Sequence, residues 1–397
     1  MFTGLLPGEH GVDGQDGAPF AEGLETLGGV LGRSGYRTAG FPANPNLHAE
    51  GWDRDFDVYH PPWLVGPHTL LALLNRHWIG TSFEERHRAP FEWTADRSTR
   101  RVFALARLWW RIHGDAPRFL FVNLLDPHYP YHPPEADRRR FLPDLSPEES
   151  YAVVQDVVHH TLARDLSAED ARILRGLYDA EVVSMDREIG RFVEWLDARG
   201  DLDDTILVIT SDHGERLGER GTVGHLLEMD QHLLRVPLLV RFPRKLPPGR
   251  IEARARLDGL PGHILGLAGV ETPEAMARTP LAGGALAVAQ HRYFGWFVER
   301  LQKRSPGFDA SPYRGDWTFV ADPHYALLWA PEQGAAAGRL VDFRADPDLA
   351  RDLSAGRPEV LARLRAVAAG LPSFGAVEPR APDAALREHL RALGYAD

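Results

Sequence analysis

The 397-residue chain contains no cysteine. It therefore has no internal disulfide, no zinc–thiolate or iron–sulfur site and no thiol nucleophile. Basic residues are in the minority, because 45 Lys and Arg face 56 Asp and Glu, for a formal net charge of -11. This balance argues against nonspecific nucleic-acid binding, which requires clustered positive charge. It also disfavours long-range attraction of anionic substrates, so any recognition of an anion must be local.

Long hydrophobic runs are missing as well. No segment approaches the roughly 20 consecutive apolar residues of a membrane-spanning helix. The first ten residues have neither the basic nor the apolar region of a signal peptide, and the pattern carries no signal for a compartment or an oligomeric state. With 44% hydrophobic and 25% charged residues, the composition is that of a globular protein. At about 150 residues per domain, the length favours two to three domains.

Hydrophobic periodicity predicts alternating strands and helices. The clearest helix spans residues 171–198, where apolar residues recur every three or four positions. Apolar runs at residues 119–125 and 205–210 predict buried strands on either side of it, as in the parallel strand–helix–strand unit of an α/β sheet. Residues 133–170, rich in charge and proline, suggest a surface insertion. Further helices are predicted at residues 22–31, 103–112, 358–369 and 384–393, further strands at 36–41 and 236–241, and an antiparallel subdomain with aromatic segments at 293–297, 317–320 and 325–329.

Polar residues follow two of the predicted strands. The first runs into residues 126–131 (DPHYPY) and the second into residues 211–215 (SDHGE), and a loop containing His225 leads on to the next strand. Ligands of open parallel sheets bind beyond the carboxyl ends of the strands. Adjacent carboxylate and imidazole groups, such as Asp212 and His213, can hold one divalent cation. Each of these residues alone could be an ordinary turn or capping residue; together they favour a metal or anion site, without selecting the metal or the reaction.

These motifs, in this order, resemble those of sulfatases in the alkaline-phosphatase superfamily. Residues 2–12 (FTGLLPGEHGV) resemble the segment that follows the family nucleophile, and residues 126–131 resemble the substrate loop. Residues 178–190, 211–215 and 235–243 (RVPLLVRFP) resemble the most recognisable stretch of the family. The resemblance implies an α/β, alkaline-phosphatase-like fold, with a mainly parallel central sheet flanked by helices and a smaller C-terminal antiparallel α+β subdomain. It places the catalytic domain at residues 1–285 and the subdomain at residues 286–397.

The resemblance also implies metal-dependent hydrolysis of a sulfate ester of a small molecule or saccharide. Family members bind one divalent cation, usually calcium, with Mn²⁺ or Zn²⁺ as alternatives, and Asp212 and His213 match a pair of its ligands. His128 matches the histidine that assists proton transfer and departure of the leaving group. His225 stands where the family has a Lys or His that holds the sulfate oxygens. Asn44 is the polar candidate for a sulfate contact at its strand end.

The chain departs from the family pattern at three places. The formylglycine nucleophile comes from a Cys- or Ser-x-Pro-x-Arg motif a few residues before the position of Thr3-Gly4, and neither it nor the strand with two metal-binding aspartates occurs in this sequence. We therefore hypothesise that the sequence begins inside the motif and expect the chain alone to be inactive; upstream in-frame codons would decide this. Residues 41–45 (FPANP) replace a Gly-Lys-Trp-His segment of many members.

The third departure concerns the reaction. An Asp-His pair, Asp212 and His213, replaces the more usual Asp-Asn pair, a variant also seen in phosphonate and phosphodiester hydrolases of the superfamily. One alternative is therefore a phosphonate monoester or phosphodiester hydrolase. The other is a non-catalytic, sulfatase-like binding protein, for which we expect weak cation binding because only two of the usual ligands are present.

Overall fold

A computed structural model of the chain describes residues 1–12, 23–44, 47, 51–60, 99–159, 166–225, 227, 229–284, 286–293, 295–304, 308–334, 338–346 and 349–374. The helix predicted at residues 384–393 lies outside the described residues. The helices are α1 (Pro7–His10), α2 (Leu27–Arg33), α3 (Thr99–Ile112), α4 (Glu135–Phe141), α5 (Pro147–His159), α6 (Ala168–Ala198), α7 (Gln231–Leu234), α8 (Leu260–Ala268), α9 (Glu274–Ala277), α10 (Gly295–Arg304) and α11 (Pro358–Ala369). The strands are β1 (Arg37–Pro42), β2 (Val58–Tyr59), β3 (Arg118–Asn123), β4 (Leu207–Thr210), β5 (Arg216–Leu217), β6 (Val223–Gly224), β7 (Leu238–Arg241), β8 (Ala287–His291), β9 (Trp317–Ala321), β10 (Tyr325–Trp329) and β11 (Gly338–Asp342).

The chain forms two compact units. Unit 1 comprises residues 1–13, 158–166 and 203–378, and unit 2 comprises residues 14–157, 167–202 and 379–397. Each unit is therefore assembled from segments that are distant along the chain. Among the described helices, none is long and apolar enough to cross a membrane.

Unit 2 contains a parallel sheet that includes the strands predicted at residues 36–41 and 119–125. Its strand order is β2-β1-β3, and β1 is parallel to both neighbours. The pairing of β1 with β3 runs from Arg37 opposite Arg118 to Pro42 opposite Asn123. Helix α3 packs on both strands through a buried apolar face that includes Trp109. Because paired parallel strands end at the same edge, the residues after Pro42 and Asn123 are brought together there.

Helix α6 confirms the clearest helix prediction. It begins with a capping box, in which the Ser167 hydroxyl accepts the Asp170 N–H at 3.0 Å and the Asp170 carboxylate accepts the Ser167 N–H at 3.2 Å. The preceding insertion is itself helical and forms α4 and α5. Arg138, 2% exposed, ties it together by donating to the carbonyl of Leu145 at 2.6 Å and pairing with Glu135 at 2.7 Å.

Helix α2 begins later than predicted, at Leu27 instead of residue 22. The Thr26 hydroxyl accepts the Gly29 N–H at 3.1 Å and so supplies the N-cap. The spacing of apolar residues predicted a helix that starts too early, because this spacing contains no information about the position of the N-cap residue.

Among the described residues, unit 1 contains three sheets, one of which is the β5-β6 hairpin. β4 and β7 pair antiparallel, with Leu207 opposite Arg241 and Thr210 opposite Leu238. The strand–helix–strand prediction expected a parallel partner for residues 205–210, but apolar runs predict a strand without identifying its partner or direction. The predicted antiparallel subdomain is confirmed as a sheet in the order β11-β10-β9-β8. Because side chains alternate along a strand, this sheet has two apolar faces: one packs on α11, and the other packs on residues that include Met229 and Leu234.

The aromatic segment 293–297 is not a strand of this sheet. The first strand, β8, ends at His291, and α10 begins at Gly295. The aromatic content suggested a strand, but Val298 and Leu301 are buried three positions apart, which is a helical spacing.

Candidate active site

The turn after β4 is held from both sides. Within it, the Ser211 hydroxyl donates to the carbonyl of His213 at 2.6 Å, and the Asp212 carboxylate accepts the His213 N–H at 3.0 Å. From outside, the carbonyl of Leu233 accepts the Gly214 N–H at 2.8 Å. The backbone conformation that presents Asp212 and His213 is therefore fixed by hydrogen bonds.

Asp212 and His213 present two donor atoms close together. Nδ1 of His213 lies 2.8 Å from the carbonyl oxygen of Gly214, which assigns the proton to Nδ1 and the lone pair to Nε2. Nε2 lies 3.8 Å from Oδ2 of Asp212. A cation bound at about 2.0–2.6 Å from each donor, the range from Zn²⁺ to Ca²⁺, fits between two atoms at this separation. The side chains are 60% and 37% exposed, so a dissolved ion can reach both.

The electrostatic surroundings keep Asp212 ionised. Desolvation acts to raise its pKa, but the charge that His213 carries when protonated, the backbone N–H of His213 and the charge of His225 outweigh it, so the pKa is lowered in the absence of a cation. A deprotonated carboxylate is the form that binds a hard divalent cation.

A β-hairpin places His225 beside this pair. Arg216 on β5 stands opposite Gly224 on β6, so the preceding Glu215 lies next to the following His225. Nδ1 of His225 is 2.9 Å from Oε1 of Glu215, and the rings of His225 and His213 stack with centroids 4.0 Å apart. Desolvation acts to lower the pKa of His225, but the charge and hydrogen bond of Glu215 and the charge of Asp212 raise it overall. A protonated imidazole is suited to binding an anion.

Glu215 is a residue that sequence reasoning missed. Glu215 is the last residue of the SDHGE motif at residues 211–215. Its place in this motif is the one sequence feature that could have identified it as a site residue. Its side chain is 3% exposed, and its partner His225 is identified only by the hairpin register.

In unit 2, Asn44 and Asn123 meet where β1 and β3 end. The Asn123 side-chain oxygen accepts the Asn44 N–H at 2.8 Å, and its carbonyl accepts the Ala43 N–H at 2.9 Å. Asn123 therefore positions Asn44. The apolar run of residues 119–125 conceals this role, because it places Asn123 within a predicted buried strand.

His128 lies on the loop that follows β3. Nδ1 of His128 hydrogen-bonds to the carbonyl oxygen of Tyr129. Nε2, on the opposite side of the ring, is therefore the nitrogen that could take part in proton transfer. Asp126, at the start of this loop, accepts the Thr99 hydroxyl at 2.7 Å and so links the loop to the beginning of α3.

Helix α6 supports the same loop. Glu181, 1% exposed, accepts the backbone N–H of His132, and the ring of Tyr178 meets Tyr131 edge-on at a centroid distance of 5.8 Å. The family-like stretch at residues 178–190 thus has a structural role in unit 2, because it holds the loop that carries His128.

Replacing Glu181 by leucine is expected to lower the free energy of unfolding by about 1–3 kcal/mol, because the His132 N–H then loses its buried acceptor. Urea-induced unfolding measures this. Glu194→Leu, at an exposed position of the same helix, is the matched control and should change stability by no more than about 0.5 kcal/mol. Equal effects of the two changes would contradict the role of Glu181.

The predicted site residues are thus distributed between the units. Asp212, His213 and His225 lie together in unit 1, whereas Asn44 and His128 lie in unit 2. Within the described ranges, no group of three or more His, Asp or Glu side chains is arranged to hold a metal ion. Among the described residues, Asp212 and His213 are thus two candidate ligands and do not form a complete metal site.

The parallel sheet and the antiparallel subdomain belong to an alkaline-phosphatase-like fold. Two solved structures share it. A phosphonate monoester hydrolase from Silicibacter pomeroyi has a TM-score of 0.63 at 18% identity, covering 92% of this chain and 82% of that one. A protein solved with its substrate D-glucosamine-2-N,6-O-disulfate has a TM-score of 0.64 at 16% identity, covering 93% and 85%.

Residues 1–270 match the sulfatase family, and the chain belongs to it. This family uses a divalent metal ion. An endo-4-O-sulfatase from Bacteroides thetaiotaomicron is 24% identical over 298 residues, which are 68% of this chain and 56% of the relative. The chain thus spans little more than half the length of that relative.

Proposed function

We propose that the protein is a sulfate ester hydrolase by family, that the reaction requires a nucleophile this sequence does not contain, and that Asp212 and His213 contribute ligands to a calcium ion. The observation that carries the proposal is the separation of 3.8 Å between Nε2 of His213 and Oδ2 of Asp212, at the end of a strand in a member of the sulfatase family. When bound, the cation neutralises negative charge that develops on the ester oxygens. Residues 1–285 are proposed as the catalytic domain and residues 286–397 as the C-terminal subdomain.

The remaining candidate residues have separate roles in this proposal. The cationic imidazole of His225, held by Glu215, binds the sulfate oxygens. In unit 2, Asn44, positioned by Asn123, is a candidate for a sulfate contact through its side-chain amide. His128 donates a proton from Nε2 to the leaving oxygen, because its Nδ1 is engaged with the backbone.

The proposed substrate class is a saccharide sulfate ester. Two similar proteins support this choice: one is named an endo-4-O-sulfatase, and another was solved with a sulfated glucosamine as its substrate. The net charge of -11 favours short-range recognition by local groups such as His225 over attraction from a distance.

Binding of phenyl sulfate tests the proposal. In the presence of Ca²⁺, we expect phenyl sulfate to shift the imidazole NMR signal of His225, because the anion contacts that ring. Removing Ca²⁺, or introducing Asp212→Asn, should weaken the binding of phenyl sulfate measured by this shift at least about tenfold, as expected for loss of a metal ligand. His263→Gln, a change elsewhere in unit 1, is the control and should leave the shift intact. An unperturbed His225 signal at millimolar phenyl sulfate and Ca²⁺ would refute this assignment.

A phosphonate monoester hydrolase is the second candidate function. The favouring observation is the Asp-His pair itself, at Asp212 and His213, in place of Asp-Asn. The same titration with phenyl phosphonate separates the two candidates: stronger perturbation of His225 by the sulfate supports the first, and stronger perturbation by the phosphonate supports the second.

A further inference from the structure

A single buried carboxylate, Asp230, joins the two segments of the candidate site in unit 1. Asp230 is fully buried, at 0% exposure. Its Oδ1 accepts the backbone N–H groups of His232 at 2.9 Å and Leu233 at 3.2 Å, and so caps α7. Its Oδ2 forms an ion pair with Arg216.

Arg216 connects Asp230 to the hairpin. Its side chain is 2% exposed and donates to the hydroxyl of Thr222 at 2.5 Å. Arg216 begins β5 directly after Glu215, and Thr222 directly precedes β6. The ion pair therefore fixes the hairpin whose register places Glu215 against His225.

Helix α7 connects Asp230 to the turn. The carbonyl of Leu233 accepts the Gly214 N–H at 2.8 Å, directly after His213. The other side of α7 is anchored, because Leu234 packs on the antiparallel sheet and the Gln231 side chain donates to the carbonyl of Phe343. Each oxygen of Asp230 thus supports a different half of the site.

We propose that Asp230 is a positioning residue for the candidate active site. Through α7 it sets the turn that carries Asp212 and His213, and through Arg216 it sets the hairpin that carries His225. This inference rests on the proposed function for its consequence, but the geometry it predicts can be measured without a metal.

The chain contains a matched control for a purely structural role. Asp322 is also buried, at 8% exposure. One of its oxygens accepts backbone N–H groups two and three residues later, from His324 at 2.8 Å and Tyr325 at 2.7 Å, and the other pairs with Arg363. Asp322 therefore has the same chemistry as Asp230, but it supports the turn between β9 and β10.

The experiment compares Asp230→Asn with Asp322→Asn in the full chain with isotope-labelled histidine. Mn²⁺ is the probe, because a bound paramagnetic ion selectively broadens nearby imidazole signals. For Asp230→Asn, the Mn²⁺ concentration that half-broadens the His213 and His225 signals should rise about tenfold, within the range for residues that support metal ligands. For Asp322→Asn it should change less than about twofold, although both variants lose stability to urea.

Two further measurements separate positioning from simple destabilisation. Without metal, the cross-relaxation signal between the stacked rings of His213 and His225 should be lost in Asp230→Asn and kept in Asp322→Asn. Adding Arg216→Met to Asp230→Asn removes the unpaired buried cation, so stability should recover while the Mn²⁺ midpoint stays high. If Asp230→Asn does not fold, Thr222→Val weakens the same connection and should raise the midpoint about threefold.

The outcomes distinguish this inference from the proposed function. Failure of Mn²⁺ to broaden either signal in the unmodified chain would refute the metal role, whereas the ring contact would still test Asp230. An unchanged ring contact and Mn²⁺ midpoint in folded Asp230→Asn would overturn the positioning role. Equal shifts of the midpoint in the Asp230 and Asp322 variants would do the same.

Discussion

Replacing Asp212 by asparagine is expected to weaken divalent cation binding by about 100-fold, or about 2.7 kcal/mol. The asparagine keeps the size of the side chain and can still accept the His213 N–H. It loses the negative charge that a hard cation requires, and a single imidazole nitrogen remains from the pair. Mn²⁺-induced broadening of the His213 signal, and its reversal by competing Ca²⁺, measure the affinities.

The control for this prediction is Asp203→Asn. Asp203 is an exposed aspartate in the same unit, paired with Arg241 at 2.5 Å, and its change should leave the Mn²⁺ titration unaltered. Broadening that survives in Asp212→Asn would show that the ion binds elsewhere. Displacement of Mn²⁺ by Zn²⁺ but not by Ca²⁺ would replace calcium with a metal that favours nitrogen ligands.

Gly214→Ala is expected to destabilise unit 1 by about 3 kcal/mol, at the upper end of the cost of overpacking. A Cβ at this position would lie 1.9 Å from the carbonyl oxygen of His232. The obstacle is backbone held in α7 and cannot rotate away as a side chain would. The turn and α7 must separate, which also breaks the hydrogen bond from Gly214 to Leu233. Urea-induced unfolding measures the loss of stability.

The matching control is Gly249→Ala in the same unit. A Cβ at Gly249 has no atom within 4 Å, so this change should alter stability by no more than about 0.5 kcal/mol. The Gly214 variant should also bind Mn²⁺ more weakly, because the Asp212 and His213 donors move with the turn. Wild-type stability in Gly214→Ala would contradict the close approach of the two backbone segments.

Several elements were predictable because their signals are local. Helix α6 was predicted within three residues at its start and correctly at its end, and α11 was predicted with its observed bounds, since a 3.6-residue periodicity is written into consecutive residues. The polar candidates after β3 and β4 were visible for the same reason. Local signals gave the wrong start for α2, which the Thr26 cap determines. They also gave the wrong element type at residues 293–297, where the helical spacing of buried residues determines the structure.

The sequence by itself determined most strand and helix positions, the antiparallel subdomain, the family, and the adjacent pair Asp212 and His213, because neighbours in the chain remain neighbours in space. Only the tertiary structure decided the partners that hold the site. His225 meets Glu215 across 10 residues, Arg216 meets Asp230 across 14, and Asn44 meets Asn123 across 79. Contacts of this kind depend on strand register and helix placement, which the packing of the whole unit determines.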